Sequence, residues 1–367
     1  MATTTLTADE RVGDLVDDGA PLRHPAFAQI TPSWFAAVMG TGIVANAAHS
    51  LPLQVPGQET FALAVWLLAA FLLVIALVAT AAHWCWHPDR ARRHLGDAVV
   101  GHFYGAPPMA LLTVGAGTLL VGKDVIGLNA ALVVDTVLWT VGTVLGLVTA
   151  VVVPAVAHRR GTYATQPAFG GWLMPVVAPM VSATTGAFLL PYLAPGPHEA
   201  MLVGCYAMFV GSLAASAPIV LLVHRRLRTH GLGPAAAVPT MWIVLGPLGQ
   251  SATAVNVLGA SPGAHQHGRH VFGIAYGTLA MVGAMVWLAR AVAATLRTLE
   301  QGLPFSLTWW GFTFPVGTCV TGASALAAAG LASFGVLAPA LFVVLLAAWV
   351  TVLVRTVHAA PTLLSPA

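Results

Sequence analysis

Residues 311–317, Gly-Phe-Thr-Phe-Pro-Val-Gly, interrupt an apolar stretch of the chain with two glycines and a proline. Residues 246–249, Gly-Pro-Leu-Gly, interrupt an earlier apolar stretch in the same way. Because proline removes a backbone hydrogen bond, each stretch predicts a break in a helix. Similar breaks occur at Gly40, Pro108 and Pro179. The five breaks recur about every 70 residues, and such a near-constant interval indicates an internal repeat.

The composition places this repeat in a membrane. The chain has 367 residues, of which 58% are hydrophobic and 7% are charged. Soluble domains carry about 25% charged residues, so the composition excludes a water-soluble globular protein. We expect a polar cytoplasmic tail over 1–28, a single membrane domain over 29–358 and a short cytoplasmic tail over 359–367.

The membrane domain contains ten segments long enough to cross a bilayer, since a spanning helix needs about 20 apolar residues. The ten segments are 32–50, 60–84, 98–121, 129–155, 170–194, 199–224, 237–259, 271–296, 307–330 and 335–358. The breaks all fall in odd-numbered segments. We therefore predict an all-α integral membrane protein of five helical hairpins in a quasi-five-fold ring, with the broken helices around a central pore.

Basic residues predict the orientation of these spans. Of the 15 Lys and Arg residues, only Lys123 and Arg269 fall in loops that follow odd-numbered spans. Cytoplasmic loops are enriched in Lys and Arg. Both termini are therefore expected in the cytoplasm, in a multi-pass protein of the plasma (inner) membrane.

The breaks and the polar residues of the odd-numbered spans are the candidate lining of the pore. A broken helix is tolerated in hydrocarbon where it is buried in protein or lines a wet cavity. Five breaks at one depth favour a pathway over the close packing that Gly and Pro also allow. The candidate break residues are Gly40, Thr41, Gly42, Pro107, Pro108, Pro179, Gly246, Pro247, Pro315 and Gly317. The polar candidates are Asn46, His102, Tyr104, Ser182, Gln250, Asn256 and Thr318.

A pathway lined in this way is neutral. Amides at broken helix ends and hydroxyl donors suit an anion, although hydroxyls and carbonyls also serve cations. Asp135 is the one carboxylate well within an apolar run. Intramembrane acids often relay protons, so Asp135 is a candidate for proton coupling. The alternative, which we favour, is that the Asp135 side chain reaches the nearby outer interface of the membrane.

Two runs open the first and ninth spans, Pro32–Gly42 and Trp309–Thr318. Both resemble the tellurite-resistance/dicarboxylate transporter family, whose fold is shared with plant slow-type anion channels and fungal malate and sulfite transporters. The resemblance implies ten helices as five hairpins around a pore, often in a homotrimer. It also implies a phenylalanine gate in the ninth helix. Phe314 matches that gate, with Phe312 as the second candidate, and packing between helices is the alternative role for both rings.

The resemblance implies transport of a small anion, either a C4-dicarboxylate such as malate or sulfite. A gated chloride or nitrate channel on the same scaffold is the alternative, and a membrane enzyme or a closed structural subunit is a third possibility. A dicarboxylate carrier would be expected to bind carboxylates with Arg, yet the odd-numbered spans contain no Arg or Lys. No phosphate-binding loop or catalytic pair is recognisable, so we do not expect an enzyme. The expected partners are the anion and the lipid bilayer, with no cofactor, metal or nucleic acid.

Overall fold

The computed structural model describes residues 27–365, and in that range it contains ten long helices and no strand. The expected all-α membrane architecture is confirmed. The helices are α1 (Phe35–Ser50), α2 (Gln58–Trp86), α3 (Ala106–Gly117), α4 (Leu128–Arg159), α5 (Leu173–Leu189), α6 (Pro195–His230), α7 (Leu245–Ala260), α8 (Gln266–Glu300), α9 (Phe314–Ala328) and α10 (Ala332–Leu364). Most of the predicted N-terminal tail, with Arg11 and Arg23, lies outside the described residues.

Each odd-numbered helix is preceded by a 3₁₀ helix, and this junction is the structural break. The 3₁₀ segments are Pro32–Trp34, Val100–Gly105, Gly170–Trp172, Ala235–Val244 and Leu307–Phe312. The α-helical parts begin at Phe35, Ala106, Leu173, Leu245 and Phe314. These starts also recur about every 70 residues, so the repeat in the sequence corresponds to a repeated unit of the structure.

Prolines account for the position of several junctions. Pro107 and Pro108 lie in the first turn of α3, and Pro247 and Pro315 lie in the first turns of α7 and α9. A proline is well tolerated there, because the first turn of a helix has no use for its backbone N–H. The predicted breaks at these positions are therefore helix starts inside a spanning segment.

The predicted break in the first span is wrong. Gly40, Thr41 and Gly42 lie inside the uninterrupted helix α1. A Cβ atom on Gly40 would overlap the side chains of Thr313 and Trp310. The glycine therefore allows α1 and the start of α9 to approach closely, which is a common use of small residues between membrane helices.

The predicted break at Pro179 is also wrong, because α5 continues through this residue. The neighbouring helix α6 contacts α5 close to this proline. Ser212 of α6 donates a hydrogen bond of 2.6 Å to the carbonyl of Val176, three residues before the proline. The carbonyl that Pro179 leaves without a backbone donor is that of Pro175, four residues earlier, so the Ser212 bond holds α6 against α5 beside the proline and does not replace the missing bond.

The odd-numbered helices contact each other in a closed order. Helix α1 contacts α3, α3 contacts α5, α5 contacts α7, α7 contacts α9, and α9 contacts α1. Each even-numbered helix contacts the odd-numbered helix of its own hairpin and the next odd-numbered helix. This order is the one that a ring of five hairpins requires.

Burial separates the two sets of helices. Within an 18-residue apolar stretch of each, 72–94% of the residues are buried in the segments containing α3, α5, α7 and α9, but only 22–33% in the even-numbered helices. In residues 27–365, nine segments are long and apolar enough to cross a bilayer, and α1 is not among them. Helix α1 has only 16 residues, and almost all of them are buried. Because other helices shield α1 from lipid, its surface does not have to be apolar.

The even-numbered helices are longer than predicted. Helix α6 has 36 residues and α8 has 35, and α10 continues to Leu364, beyond the expected domain end at 358. The prediction counts only apolar residues, so it stops where the hydrocarbon core stops. Helices α6 and α8 continue through the polar residues that flank their apolar stretches, and α10 continues through Pro361.

Candidate functional site

Two cavities lie between the odd-numbered helices, and each is lined by residues from all five hairpins. The larger one, here the C-terminal cavity, has a volume of about 310 Å³ and is lined mainly by the C-terminal halves of these helices. The smaller one, here the N-terminal crevice, has a volume of about 20 Å³ and is lined by the 3₁₀ segments and first α-helical turns. The two cavities are the candidate transport path.

Phe314 lies where the two cavities meet. Among residues 27–365 it is the one residue that lines both of them. It is the first residue of α9, directly before Pro315, and its side chain is buried. Phe314 therefore borders both the C-terminal cavity and the N-terminal crevice.

Phe312 has a different environment and lines neither cavity. Its ring packs edge-on against Trp242, with centroids 5.1 Å apart, and against Trp309, with centroids 5.6 Å apart. Of the two phenylalanines suggested by the sequence, the structure places only Phe314 on the candidate path.

One polar residue from each odd-numbered helix lines the C-terminal cavity at an equivalent place in the repeat. We call these five residues the polar layer: Asn46, Thr113, Thr184, Thr253 and Thr321. Their positions in the chain recur at the interval of the repeat. Of the five, Asn46 is among the pore candidates predicted from the sequence, whereas Thr113, Thr253 and Thr321 are not.

Hydrogen bonds join neighbouring members of the polar layer. The side-chain amide of Asn46 donates to the carbonyl of Thr113 at 3.1 Å, and the hydroxyls of Thr253 and Thr321 are 2.9 Å apart. The hydroxyls of Thr113, Thr184 and Thr253 also donate to carbonyls four residues earlier in their own helices. A hydroxyl can leave such a carbonyl for another acceptor without breaking the N–H bonds of the helix.

The polar side chains of Gln250 and Ser324 also line this cavity. Gln250 was expected from the sequence. The Oε1 atom of Gln250 and the hydroxyl of Ser324 are buried without a hydrogen-bond partner in the part of the chain that the structure describes. Buried polar atoms nearly always have a partner, so these two groups are available to something that enters the cavity.

Ser182, Asn256 and Thr318 were expected in the pore but line neither cavity. Ser182 lies on the face of α5 toward α4, and its carbonyl accepts a 2.9 Å hydrogen bond from the indole of Trp139. Asn256 donates to the carbonyl of Gly273 in α8 at 3.1 Å. Thr318 donates to Pro315 in its own helix at 2.7 Å. Each is a polar contact within or between helices.

His102 and Tyr104 also lie away from the cavities. They belong to the 3₁₀ helix before α3, where His102 donates from Nδ1 to the carbonyl of Ala98 at 3.1 Å. The hydroxyl of Tyr104 donates to the carbonyl of Ala91 at 3.2 Å. These contacts attach the short helix Pro88–Gly96 and its following loop to the bundle.

Asp135 is fully buried in α4, so the expectation that its side chain reaches the outer interface is wrong. Its carboxylate lies against Gly115 of α3, where a Cβ atom would come within 2.7 Å of Oδ1. Within residues 27–365 neither carboxylate oxygen has a hydrogen-bond partner. Asp135 lines neither cavity.

The two cavities contain no Lys, Arg, Asp or Glu among the described residues that line them. His49 lies at the C-terminal cavity and contacts Glu59 at 3.1 Å. The crevice is lined by one residue from the start of each odd-numbered helix, namely Ala36, Met109, Met174, Gly246 and Pro315.

Buried, interrupted helices around uncharged cavities, inside a shell of lipid-facing helices, define a membrane transport protein. The family model described as SLAC1, voltage-dependent anion channel, matches residues 29–357. The chain belongs to this family, which confirms the resemblance drawn from its first and ninth spans. It is a multi-pass membrane protein that transports small anions.

Several curated proteins are similar to most of the chain. A sulfite efflux pump of Trichophyton rubrum is 26% identical over 350 residues, which cover 91% of each protein. A sulfite efflux pump of Arthroderma otae has the same identity and coverage. An uncharacterized transporter of Methanocaldococcus jannaschii is 28% identical over 293 residues, covering 79% of this chain and 81% of the relative.

Proposed function

We propose that the protein conducts sulfite across the membrane between its five odd-numbered helices, and that Phe314 gates this path. The observation that carries the proposal is the position of Phe314, which lines both cavities. Sulfite is the first candidate because relatives named as sulfite efflux pumps match 91% of the chain.

The polar layer gives the C-terminal cavity its preference for a small anion. Threonine hydroxyls and the amide of Asn46 offer hydrogen-bond donors without a fixed charge. Binding is then weak, and weak binding favours fast passage over tight capture. Malate is disfavoured, because two carboxylates that leave water call for cationic partners such as Arg, and the described cavity lining contains none.

The N-terminal crevice is closed in this conformation. Its volume of about 20 Å³ is enough for roughly one water molecule, and Met39, Met109, Met174 and Ile243 line it. A narrow apolar constriction stops ions without using a charge. The path opens when the Phe314 ring rotates off the axis, because this joins the crevice to the cavity.

We also propose the orientation, the membrane and the assembly. Basic residues concentrate after even-numbered helices, which supports cytoplasmic termini in the plasma (inner) membrane. A homotrimer with one path per subunit is proposed on the family resemblance alone.

Efflux from liposomes tests the transport proposal. Full-length protein is reconstituted, the liposomes are loaded in turn with sulfite, malate, chloride or nitrate, and a fixed membrane voltage is applied with and without a pH gradient. We expect voltage-driven efflux that is greatest for sulfite, smallest for malate and independent of the gradient. Greater efflux of chloride or nitrate would favour the channel alternative, and no efflux even with Phe314→Ala would reject the path.

A further inference from the structure

A groove between the C-terminal ends of α6 and α8 brings three arginines together. It has a volume of about 680 Å³ and shares no lining residue with the two cavities of the transport path. Its lining residues on the two helices include His224, Leu227, Arg228, Arg290, Ala294 and Arg297. Their spacing of three or four residues places each set on one face of its helix, so the two faces meet across the groove.

The three arginines have no anionic partner within the described residues. The ion pairs found there join His49 to Glu59 and Arg92 to Asp89. Arg290 donates only to the ring of His224, at 3.1 Å. Three cations that face one groove repel each other, and an anion between them removes this repulsion. The planar guanidinium group is well matched to phosphate oxygens, which it binds with paired hydrogen bonds.

The position of the groove along the helices indicates a lipid headgroup. With 36 and 35 residues, α6 and α8 are each about 50 Å long, whereas the hydrocarbon core is about 30 Å thick. Their last turns therefore extend into the headgroup region. Leu221 and Val286 lie one turn before His224 and Arg290 on the same faces, and they are 68% and 55% exposed. An exposed apolar track thus leads directly to the basic groove.

We propose that this groove binds an anionic glycerophospholipid. Arg228, Arg290 and Arg297 donate hydrogen bonds to its phosphate headgroup, and its acyl chains lie along Leu221 and Val286. Basic pockets between membrane helices at the cytoplasmic surface bind anionic headgroups in this way. Neither the transport path nor its gate is needed for this site.

Native mass spectrometry of the full-length protein tests the proposal. The protein is titrated with phosphatidylglycerol and with phosphatidylcholine of identical acyl chains, and glycerol 3-phosphate serves as a headgroup without chains. We expect one tightly bound phosphatidylglycerol per protomer. The triple variant Arg228→Gln, Arg290→Gln, Arg297→Gln should bind it about 100-fold more weakly, and Arg228→Gln alone about fivefold more weakly.

The matched control replaces three exposed arginines outside the groove, with Arg92→Gln, Arg93→Gln and Arg159→Gln. This control should retain the binding of the wild type. If the triple variant does not fold, Arg228→Gln decides, because this exposed residue lies in the last turns of α6. Equal binding by the wild type and the groove variants, or equal binding of the two lipids, would overturn the proposal.

Two other outcomes would assign the groove to a different occupant. Competition by glycerol 3-phosphate at the same concentration as the lipid would indicate a site for free phosphates. The segment 1–26 contains five acidic residues, at positions 9, 10, 14, 17 and 18. If the lipid binds only after these are changed to Asn and Gln, the groove belongs to that segment, and the lipid proposal is wrong.

Discussion

Phe314→Ala should open the path, and Phe312→Ala should not. Both rings are buried, at 3% and 8% exposed, and they lie two residues apart. Removal of the Phe314 ring joins the C-terminal cavity to the N-terminal crevice. We expect voltage-driven sulfite efflux to rise at least about tenfold, which corresponds to a barrier lowered by about 1.4 kcal/mol.

The loss of unfolding free energy should be larger for Phe312→Ala than for Phe314→Ala. Replacing a buried phenylalanine by alanine costs about 3–5 kcal/mol of unfolding free energy. Phe314 borders empty space on two sides, so we expect a loss of about 3 kcal/mol. Phe312 packs against Trp242 and Trp309, and each aromatic pair adds about 0.5–1.5 kcal/mol. We therefore expect a loss of about 5 kcal/mol for Phe312→Ala.

Efflux from liposomes and thermal unfolding in detergent measure the two effects on the same protein preparations. Wild-type efflux from Phe314→Ala, together with a large loss of stability, would show that the ring only packs. An equal rise in efflux from Phe312→Ala would show that the effect is not specific to the boundary between the cavities. Either result would refute the assignment of the gate.

Three further substitutions test other parts of the account. In the polar layer, the double variant Thr253→Val, Thr321→Val removes two hydroxyl donors, each worth about 1 kcal/mol. Sulfite efflux should therefore fall about tenfold or more, while the protein still folds. Asp135→Asn should leave voltage-driven efflux unchanged with or without a pH gradient, because the residue lines neither cavity; a gradient dependence that disappears in this variant would restore Asp135 as a proton-coupling residue. Gly317→Ala should lower the unfolding free energy by about 1–3 kcal/mol, because its Cβ would come within 2.5 Å of a side chain of α1. The control Gly335→Ala, whose Cβ meets no atom within 4 Å, should be neutral or stabilising, and an equal loss in both variants would contradict the packing argument.

The repeat was predictable from the sequence because proline has a strong local effect. The interval between Pro247 and Pro315 reflects two helices that start inside spanning segments. Gly40 and Pro179 follow the same interval without breaking their helices. Sequence alone does not distinguish a glycine that ends a helix from one that admits a neighbouring side chain.

The polar lining was predicted less well than the helices. Ser182 and Thr184 lie two residues apart on α5, and only Thr184 lines the cavity. Residues two apart lie on opposite sides of a helix, so a list of polar residues cannot by itself identify the lining. Alignment of the five repeats would have found the polar layer, because its members recur at the repeat interval.

The gate was predicted through the family resemblance and not from physical reasoning about the residues. Phe312 and Phe314 lie in the same short stretch of sequence. Phe312 is the last residue of the 3₁₀ segment Leu307–Phe312, and Phe314 lies two residues after it. What separates them is tertiary packing, since Phe312 lies between two tryptophans. Asp135 could not be placed either, because the space for its carboxylate comes from Gly115 on another helix.

Covalent block of the C-terminal cavity tests most directly whether anions pass between the odd-numbered helices. Cys85 is exposed, whereas Cys205 and Cys319 are buried, so the test uses a Cys85→Ser background. Thr184→Cys places a thiol in the cavity, and Ser182→Cys places one on the opposite side of the same helix. Both variants are combined with Phe314→Ala and alkylated with iodoacetate, which leaves a negatively charged thioether that sulfite does not cleave. We predict that the reagent abolishes sulfite efflux through Thr184→Cys and spares Ser182→Cys. Undiminished efflux from a fully labelled Thr184→Cys would contradict the path.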